Sequence, residues 1–360
     1  MAKTNKSSSK WLLEPDYLFL PLAGLGLLCQ WTPLLATTAF AVSVEATKAG
    51  VLANGGVLKL TWTGIEPIDF VLRYISVTFA AFLDVHHDPT PFLLLFDLVF
   101  SLAVWDTVIL TESRRDKTGP LRNSAFWSLM RNYFGAASVL PTYFSLYIKK
   151  QPQTGPKLPR NEAQAIPFTT IWNLLLASAL LFPTLLGAHP FRIQDGLLLW
   201  FWGPLSVGLF QRIASSLIAS SGLSYKGSTN PIGAAYNLVG AVSSLAHLSV
   251  SAWIFSSPNL TFSGTYLPNP WSIHEGPTIF VDVLLVFIQF GYTALTLSVL
   301  ALGFYTLSVE KVTTAKSSRS VSLPTFLGIV AVAGPGAGLA WLFRGGESES
   351  EATSAKNKNS

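Results

Sequence analysis

The chain has 360 residues, half of them hydrophobic and only 12% charged, with a mean hydropathy of +0.43 and a formal net charge of +5. Soluble domains carry about 25% charged residues, so lipid is the expected solvent. The positive balance is small and dispersed, and no basic patch with interleaved aromatics suggests nucleic acid. A single cysteine, Cys29, excludes a disulfide framework and a cysteine-based zinc site.

A spanning helix needs about 20 mostly apolar residues. Such runs occupy roughly residues 17–44, 67–83, 91–111, 126–148, 168–189, 193–218, 232–255, 279–307 and 324–343. Continuous rather than alternating hydrophobicity argues against a sheet barrel. The expected fold is therefore an all-α, polytopic transmembrane bundle of eight or nine helices. It comprises a polar N-terminal segment (1–16), one helical domain (17–343) and a disordered polar tail (344–360). The first apolar run is too long for a signal-peptide core and is read as a retained helix. It contains Pro21 and Pro33, which predict a kink. The last run has Gly and Pro at its centre.

The loops "ESRRDKTGPLRNS" (112–124) and "KKQPQTGPKLPRNEAQAIP" (149–167) hold most of the loop Lys and Arg. The connection 256–277 has neither residue and contains the sequon Asn259-Leu260-Thr261, which points to a lumenal loop. If residues 126–148 form a simple span, the two basic loops face opposite sides, against the positive-inside rule. Either one of them is lumenal or that segment does not span simply. No internal repeat is evident, which weighs against a transporter with duplicated halves.

Several chemistries lack their signatures. A di-iron desaturase needs about eight histidines in boxes, and this chain has five in total. Paired Asp-rich loops for a magnesium-bound diphosphate are absent, and "DVHHD" (84–88) is the only acidic cluster. Asp84, His86, His87 and Asp88 fit a polar turn at the bilayer surface better than a metal site, because metal ligands come from more than one fixed element. No P-loop is present. "GPGAG" (334–338) lies in an apolar run, where close helix packing explains its glycines.

Ionisable groups inside the apolar runs are the most informative feature. On insertion scales each costs roughly 2.5–3.5 kcal/mol at a helix centre, so each should have a partner or a task. Glu66, Asp69 and Arg73 share one helix face, and Arg73 could simply pair with Asp69. Asp97 and Asp106 follow in the next run, about half a turn out of phase, so they should not share a pocket wall. Arg131 lies in the run after that and could form a structural pair with Asp97. Asp195 and Arg212 bracket the sixth run and are expected to reach the interface. Glu275, Asp282 and Gln289 recur every seven residues as a polar stripe, and Asn173, Asn237 and His247 add uncharged polar groups. Five acids against two nearby bases leave carboxyls without partners. An unpaired carboxyl in an apolar pocket stays protonated near neutral pH and is a Brønsted acid. Rings along "LLLWFWGP" and "RNYFGAASVLPTYFSLY" could stabilise a cation.

Together "GIEPIDFVLRY", "RNYFGAASVLPTYFSLYI", "WGPLSVGLFQRI" and "HEGPTIFVDVLLVFIQF" resemble the integral-membrane terpene cyclases of fungal meroterpenoid pathways, of the ascofuranone and macrophorin type. The resemblance covers about residues 15–310 and rests on helix count, length and polar-residue placement rather than on a short motif. It implies that a protein acid protonates a terminal epoxide or olefin of a farnesyl chain attached to an aromatic or polyketide head. Rings then close through carbocations with no metal or organic cofactor. Carried onto this chain, the acid or its catalytic partners would be among Glu66, Asp69, Asp106 and Asp282. Arg73, Asp97, Arg131, Tyr133, Trp200, Trp202 and Gln289 would bind substrate. The expected setting is a multi-pass protein of the endoplasmic reticulum whose cavity opens to the lipid bilayer. A proton-coupled small-molecule transporter would use the same acids as a relay, and a non-catalytic scaffold would pair most of them with bases.

Overall fold

The computed structural model describes residues 14–53, 55–83, 85, 88–116, 118–150, 158–221, 230–276, 278–309 and 322–358, the last eleven of these as backbone only. Asp84, His86 and His87, and most of the polar N-terminal segment, lie outside the described residues. Among the described residues the regular structure is helical, with one isolated bridge between Val51 and Val57. Thirteen α-helices are numbered in chain order. They are α1 (Pro15–Ala36), α2 (Ala39–Ala49), α3 (Glu66–Ala80), α4 (Thr90–Arg115), α5 (Ser124–Phe134), α6 (Ala136–Lys150), α7 (Arg160–Leu185), α8 (Pro190–Trp202), α9 (Pro204–Ser220), α10 (Pro231–Ser256), α11 (Phe262–Tyr266), α12 (Ile279–Phe304) and α13 (Leu323–Lys358).

Proline supplies many of the starts. It sits in the first turn of α1, α3, α4, α8, α9 and α10, where its missing N–H has no helical partner to lose. Asn123 and Asn230 add side-chain caps, accepting from the N–H of Phe126 and Gly233.

The expected all-α polytopic bundle is present, but with fewer spans than the eight or nine expected. By length and composition alone six helices among the described residues, α13 included, could cross a membrane, or seven if α8 and α9 count as one bent span. Backbone breaks inside apolar runs account for the difference. The run 17–44 divides between α1 and α2. The run 67–83 gives α3, only 15 residues long, and a 3₁₀ turn. The run 126–148 breaks at Gly135, whose φ of +88° is open to glycine and costly for other residues. The run 193–218 bends by 67° where Pro204 follows Gly203.

α4 is the axis of the bundle. Most of it is buried, and it packs against α7, α10, α12 and α13. α10 runs antiparallel to it, since Asp97 meets His247 and Ser101 meets Ser243. α13 also breaks, at Gly334 (φ +88°, ψ 165°). After the break Gly338 packs against Val330, eight residues earlier. In a straight helix those residues would stand about 12 Å apart, so α13 folds back on itself. Its second half runs beside α10, with Phe343 against Tyr236, and reaches the end of α4, where Arg115 grips Glu112 and Glu347. The backbone of α13 continues as helix to Lys358, and Glu347 is held there by Arg115.

α5 and α6 form a second return. Lys150, at the close of α6, pairs with Asp116, just past α4, and Trp127 of α5 donates its indole N–H to the Pro120 carbonyl in the same loop. Both basic connections therefore emerge at one end of the bundle, and the 126–148 segment does not span simply. The connection 257–278 and α11 lie at the opposite end.

The loop between α2 and α3 is tied down by side chains. Asp69 accepts from the N–H groups of Trp62 (3.0 Å), Thr63 (2.8 Å) and Gly64 (2.9 Å), and from the Thr63 hydroxyl. Gln194 of α8 receives the Lys59 N–H and donates to the Val57 carbonyl, both at 2.8 Å. Burial alone would raise the Asp69 carboxyl, but its hydrogen-bond donors hold it below the usual carboxylate range. A depressed carboxyl stabilises the fold above its unfolded value, and that contribution fades as pH falls through the folded value. Asp69→Asn should therefore melt below the wild type at pH 7, with the gap closing under about pH 4, as read by thermal unfolding in detergent. A gap unchanged across that range would sink this account. At the α13 break, an added Cβ would stand 2.8 Å from the His247 ring in a disfavoured backbone conformation. Gly334→Ala should accordingly cost about 1–3 kcal/mol, measured by the same melting experiment.

Candidate functional site

The sequence places an acid, Asp97, in the middle of "PFLLLFDLVF", and the fold gives it no exposure to solvent or lipid (0%). Burying a carboxyl is costly unless it is satisfied, and three helices supply partners. Tyr292 of α12 and Tyr266 of α11 donate their hydroxyls to Asp97 Oδ2 at 2.8 and 2.9 Å. His247 of α10 places Nδ1 2.7 Å from the same oxygen and 3.3 Å from the Tyr292 hydroxyl. Asp97 Oδ1 is buried and has no hydrogen-bond partner among the described residues. The carboxyl is therefore polarised, with two hydroxyl donors and the His247 ring nitrogen on one oxygen and no partner among the described residues on the other.

Each partner is held from behind. Gln289, one turn before Tyr292, donates to the carbonyls of Gly264 (2.7 Å) and Thr265 (3.3 Å) and so fastens α11 to α12. Thr261 caps α11 by accepting the Gly264 N–H. The Tyr266 and Tyr292 rings then pack with centroids 4.9 Å apart. The α13 break seats the imidazole from the far side. Burial, and then the neighbouring Asp97 charge, push the Tyr266 hydroxyl above the usual tyrosine range, so it remains a donor.

Asp106 lies on the opposite face of α4, as its phase predicts. Arg131 of α5 pairs with it at 2.9 Å, and Ser128 donates to the same oxygen. Arg131 also grips Asn132, whose amide donates to the Phe201 carbonyl. The structural pair expected between Asp97 and Arg131 is thus not formed; α5 packs on the other side of α4 and offers Arg131 to Asp106 instead. Asp106, Arg131, Ser128, Asn173 and Trp200 line a cavity of about 20 Å³, room for about one water. Asn173 Nδ2 is unpartnered there among the described residues.

The remaining expected site residues are dispersed. Glu66 is 74% exposed and pairs with Arg73, which replaces the expected Arg73–Asp69 contact because Asp69 is already occupied by loop amides. Among the described residues Asp282 accepts the Thr278 hydroxyl (3.2 Å), and Glu275, seven residues earlier, takes the Thr38 hydroxyl. Tyr133 and Trp202 flank Phe201 edge-on at 5.1 and 5.6 Å, outside the Asp106 cavity. Asp195 is held by Lys59 and the Trp62 indole. Of the expected residues, the fold brings Asp106, Arg131 and Trp200 together, and it joins Asp97 to Gln289 through α11. Tyr266 and Tyr292 were not anticipated, and His247 was read only as an uncharged polar group. Tyr292 follows Gln289 by three residues on one helix face, a legible signal. Tyr266 sits in a connection whose course no periodicity reveals.

No curated protein and no solved structure matches the chain. The CtvD domain family model matches residues 20–345, a range that takes in every helix described except the start of α1 and the end of α13. The chain is a member of the CtvD domain family, a cyclase-type family, and that membership points to a terpene-cyclase-like role.

Proposed function

We propose that this protein is a membrane-bound terpene cyclase in which Asp97 is the proton donor, acting on the terminal epoxide or olefin of a farnesylated aromatic or polyketide substrate. The observation that carries this reading is the asymmetry of the buried carboxyl. A proton on Oδ1 meets no competing acceptor among the described residues, so it passes to a substrate atom once one is admitted beside the buried carboxyl. The two hydroxyl donors on Oδ2 stabilise the carboxylate left behind.

In the proposed step the Asp97 O–H bond breaks and its proton bonds either to the epoxide oxygen, whose C–O bond then opens to leave a hydroxyl and a cationic carbon, or to an alkene carbon through the π electron pair, leaving the other carbon cationic. The electron pair of each neighbouring double bond then closes a ring onto the cationic carbon. The Tyr266 and Tyr292 rings stand beside the acid, where their π faces favour a cation. The final cation loses a proton, so the product is an isomer of the substrate. His247, in reach of both Oδ2 and Tyr292, carries the returning proton to the carboxyl. Asp69 and Glu66 have no part in this scheme. Asp106, paired with Arg131, keeps a polar cavity on the other face of α4.

The two basic connections emerge at one end, which the positive-inside rule assigns to the cytoplasm. The sequon connection then lies in the lumen of the endoplasmic reticulum, at the Asp97 end of the bundle.

Two experiments test this reading. Microsomes carrying the protein are incubated with a farnesyl-phenol terminal epoxide and with the matching alkene, and the products are read by LC–MS. The expected product has unchanged mass and a new retention time. Asp97→Asn should lower kcat by about 10²–10⁴-fold, whereas Asp69→Asn, once folded, should retain turnover. Full turnover in a folded Asp97→Asn protein removes the assignment, and loss in Asp106→Asn alone moves the acid to the other cavity. For orientation, single cysteines at Thr118 and Ser263 in a Cys29→Ser background should react with a membrane-impermeant maleimide from opposite sides of sealed microsomes. Labelling of both from one side contradicts the topology.

A further inference from the structure

A cleft of about 560 Å³ opens where α4 ends, between the α4–α5 loop and α9. Three arginines from three elements line it: Arg114 of α4, Arg122 of the loop and Arg212 of α9. Other arginines near this end of the bundle are engaged by acids, Arg115 by Glu112 and Glu347 and Arg131 by Asp106. None of the cleft three forms an ion pair among the described residues. Arg114 donates one weak hydrogen bond, to the Gly208 carbonyl at 3.4 Å, and its Nε is buried without a partner.

The acids nearby do not neutralise the three. Asp116 also lines the cleft, but its oxygens are occupied by Lys150 and by the N–H groups of Gly119 (2.8 Å) and Leu121 (3.0 Å). Burial would raise that carboxyl, yet these partners hold it below the usual range, so it stays a carboxylate matched to Lys150. Glu162 of α7 is the other acid in charge range of Arg114, and one carboxylate cannot match three guanidinium groups. The first residues of α5, Ser124 and Ala125, form part of the wall, so unpaired helix N–H groups add to the positive potential. Beside the arginines, Leu205 and Leu209 of α9 are 57% and 61% exposed. They also line the cleft, which is therefore cationic at its base and greasy along one rim.

We propose that this cleft binds the phosphate headgroup of an anionic phospholipid, with the acyl chains lying along Leu205 and Leu209. Guanidinium groups pair bidentately with phosphate oxygens, and basic pockets at a membrane face recognise such headgroups. The apolar rim is what favours a lipid over a free phosphate ion. The assignment rests on the membrane fold and is independent of the cyclase reading.

The test is native mass spectrometry of the full-length protein in detergent. It is offered equimolar short-chain phosphatidate and phosphatidylcholine, and separately inorganic phosphate. Phosphatidate should be retained roughly tenfold or more over phosphatidylcholine, and Arg122→Gln with Arg212→Gln should abolish most of that preference. Arg122→Lys with Arg212→Lys, which keeps the charge, should preserve part of it, and unchanged melting of both double variants guards against misfolding. Equal retention of the two lipids, or an undiminished preference in the glutamine variant, overturns the proposal. Retention of inorganic phosphate without phosphatidate overturns the lipid as its source.

Discussion

Everything polar in this protein is arranged around the burial of α4. The helix passes through the middle of the bundle with protein on nearly all sides, so Asp97 and Glu112 are buried and Asp106 faces only a small internal cavity. Thr107 and Thr111 solve the problem locally by donating to carbonyls four residues back. Asp97, Asp106 and Glu112 cannot, and each draws a partner from another helix or another turn. Three separate contacts between α4 and its neighbours are thereby specified at three levels along one axis.

Those contacts differ in kind. Asp106 meets Arg131 of α5, and Arg115, held by Glu112 on the same helix, meets Glu347 of α13; charge pairing between elements of this sort fixes how helices register against one another. Asp97 meets neutral hydroxyls and an imidazole, all on one oxygen. A group present only to lock helices together would be expected to have both oxygens satisfied, as Asp69 has in the α2–α3 loop. The contrast between Asp69 and Asp97 separates an acid satisfied on both oxygens from one satisfied on a single oxygen, and it depends on hydrogen-bond geometry rather than on depth alone.

Helical class, membrane character and the opposite phasing of Asp97 and Asp106 were legible in the residues, because hydropathy and the 3.6-residue period act locally. Where the chain turns was not. Gly135 and Gly334 lie inside runs that read as continuous, and only the backbone conformation reveals that they end one helix and begin another. Partner choice was equally hidden. Arg73 is nearer in sequence to Asp69 than to Glu66, yet it pairs with Glu66, because loop amides that no pattern announces already occupy Asp69. The Asp97 group draws on residues 150, 169 and 195 positions away, so it exists only once the bundle is assembled.

The fold-back of α13 bears on parity. A segment that enters the bundle and returns contributes no net crossing, however apolar it is, and so does the pair α5–α6. Counting hydrophobic runs would put successive loops on the wrong sides of the membrane after the first such return. With both returns recognised, the chain beyond Glu347 leaves from the same end as the two basic connections. A tag or reporter fused at that point would share a compartment with Lys150 and Arg160.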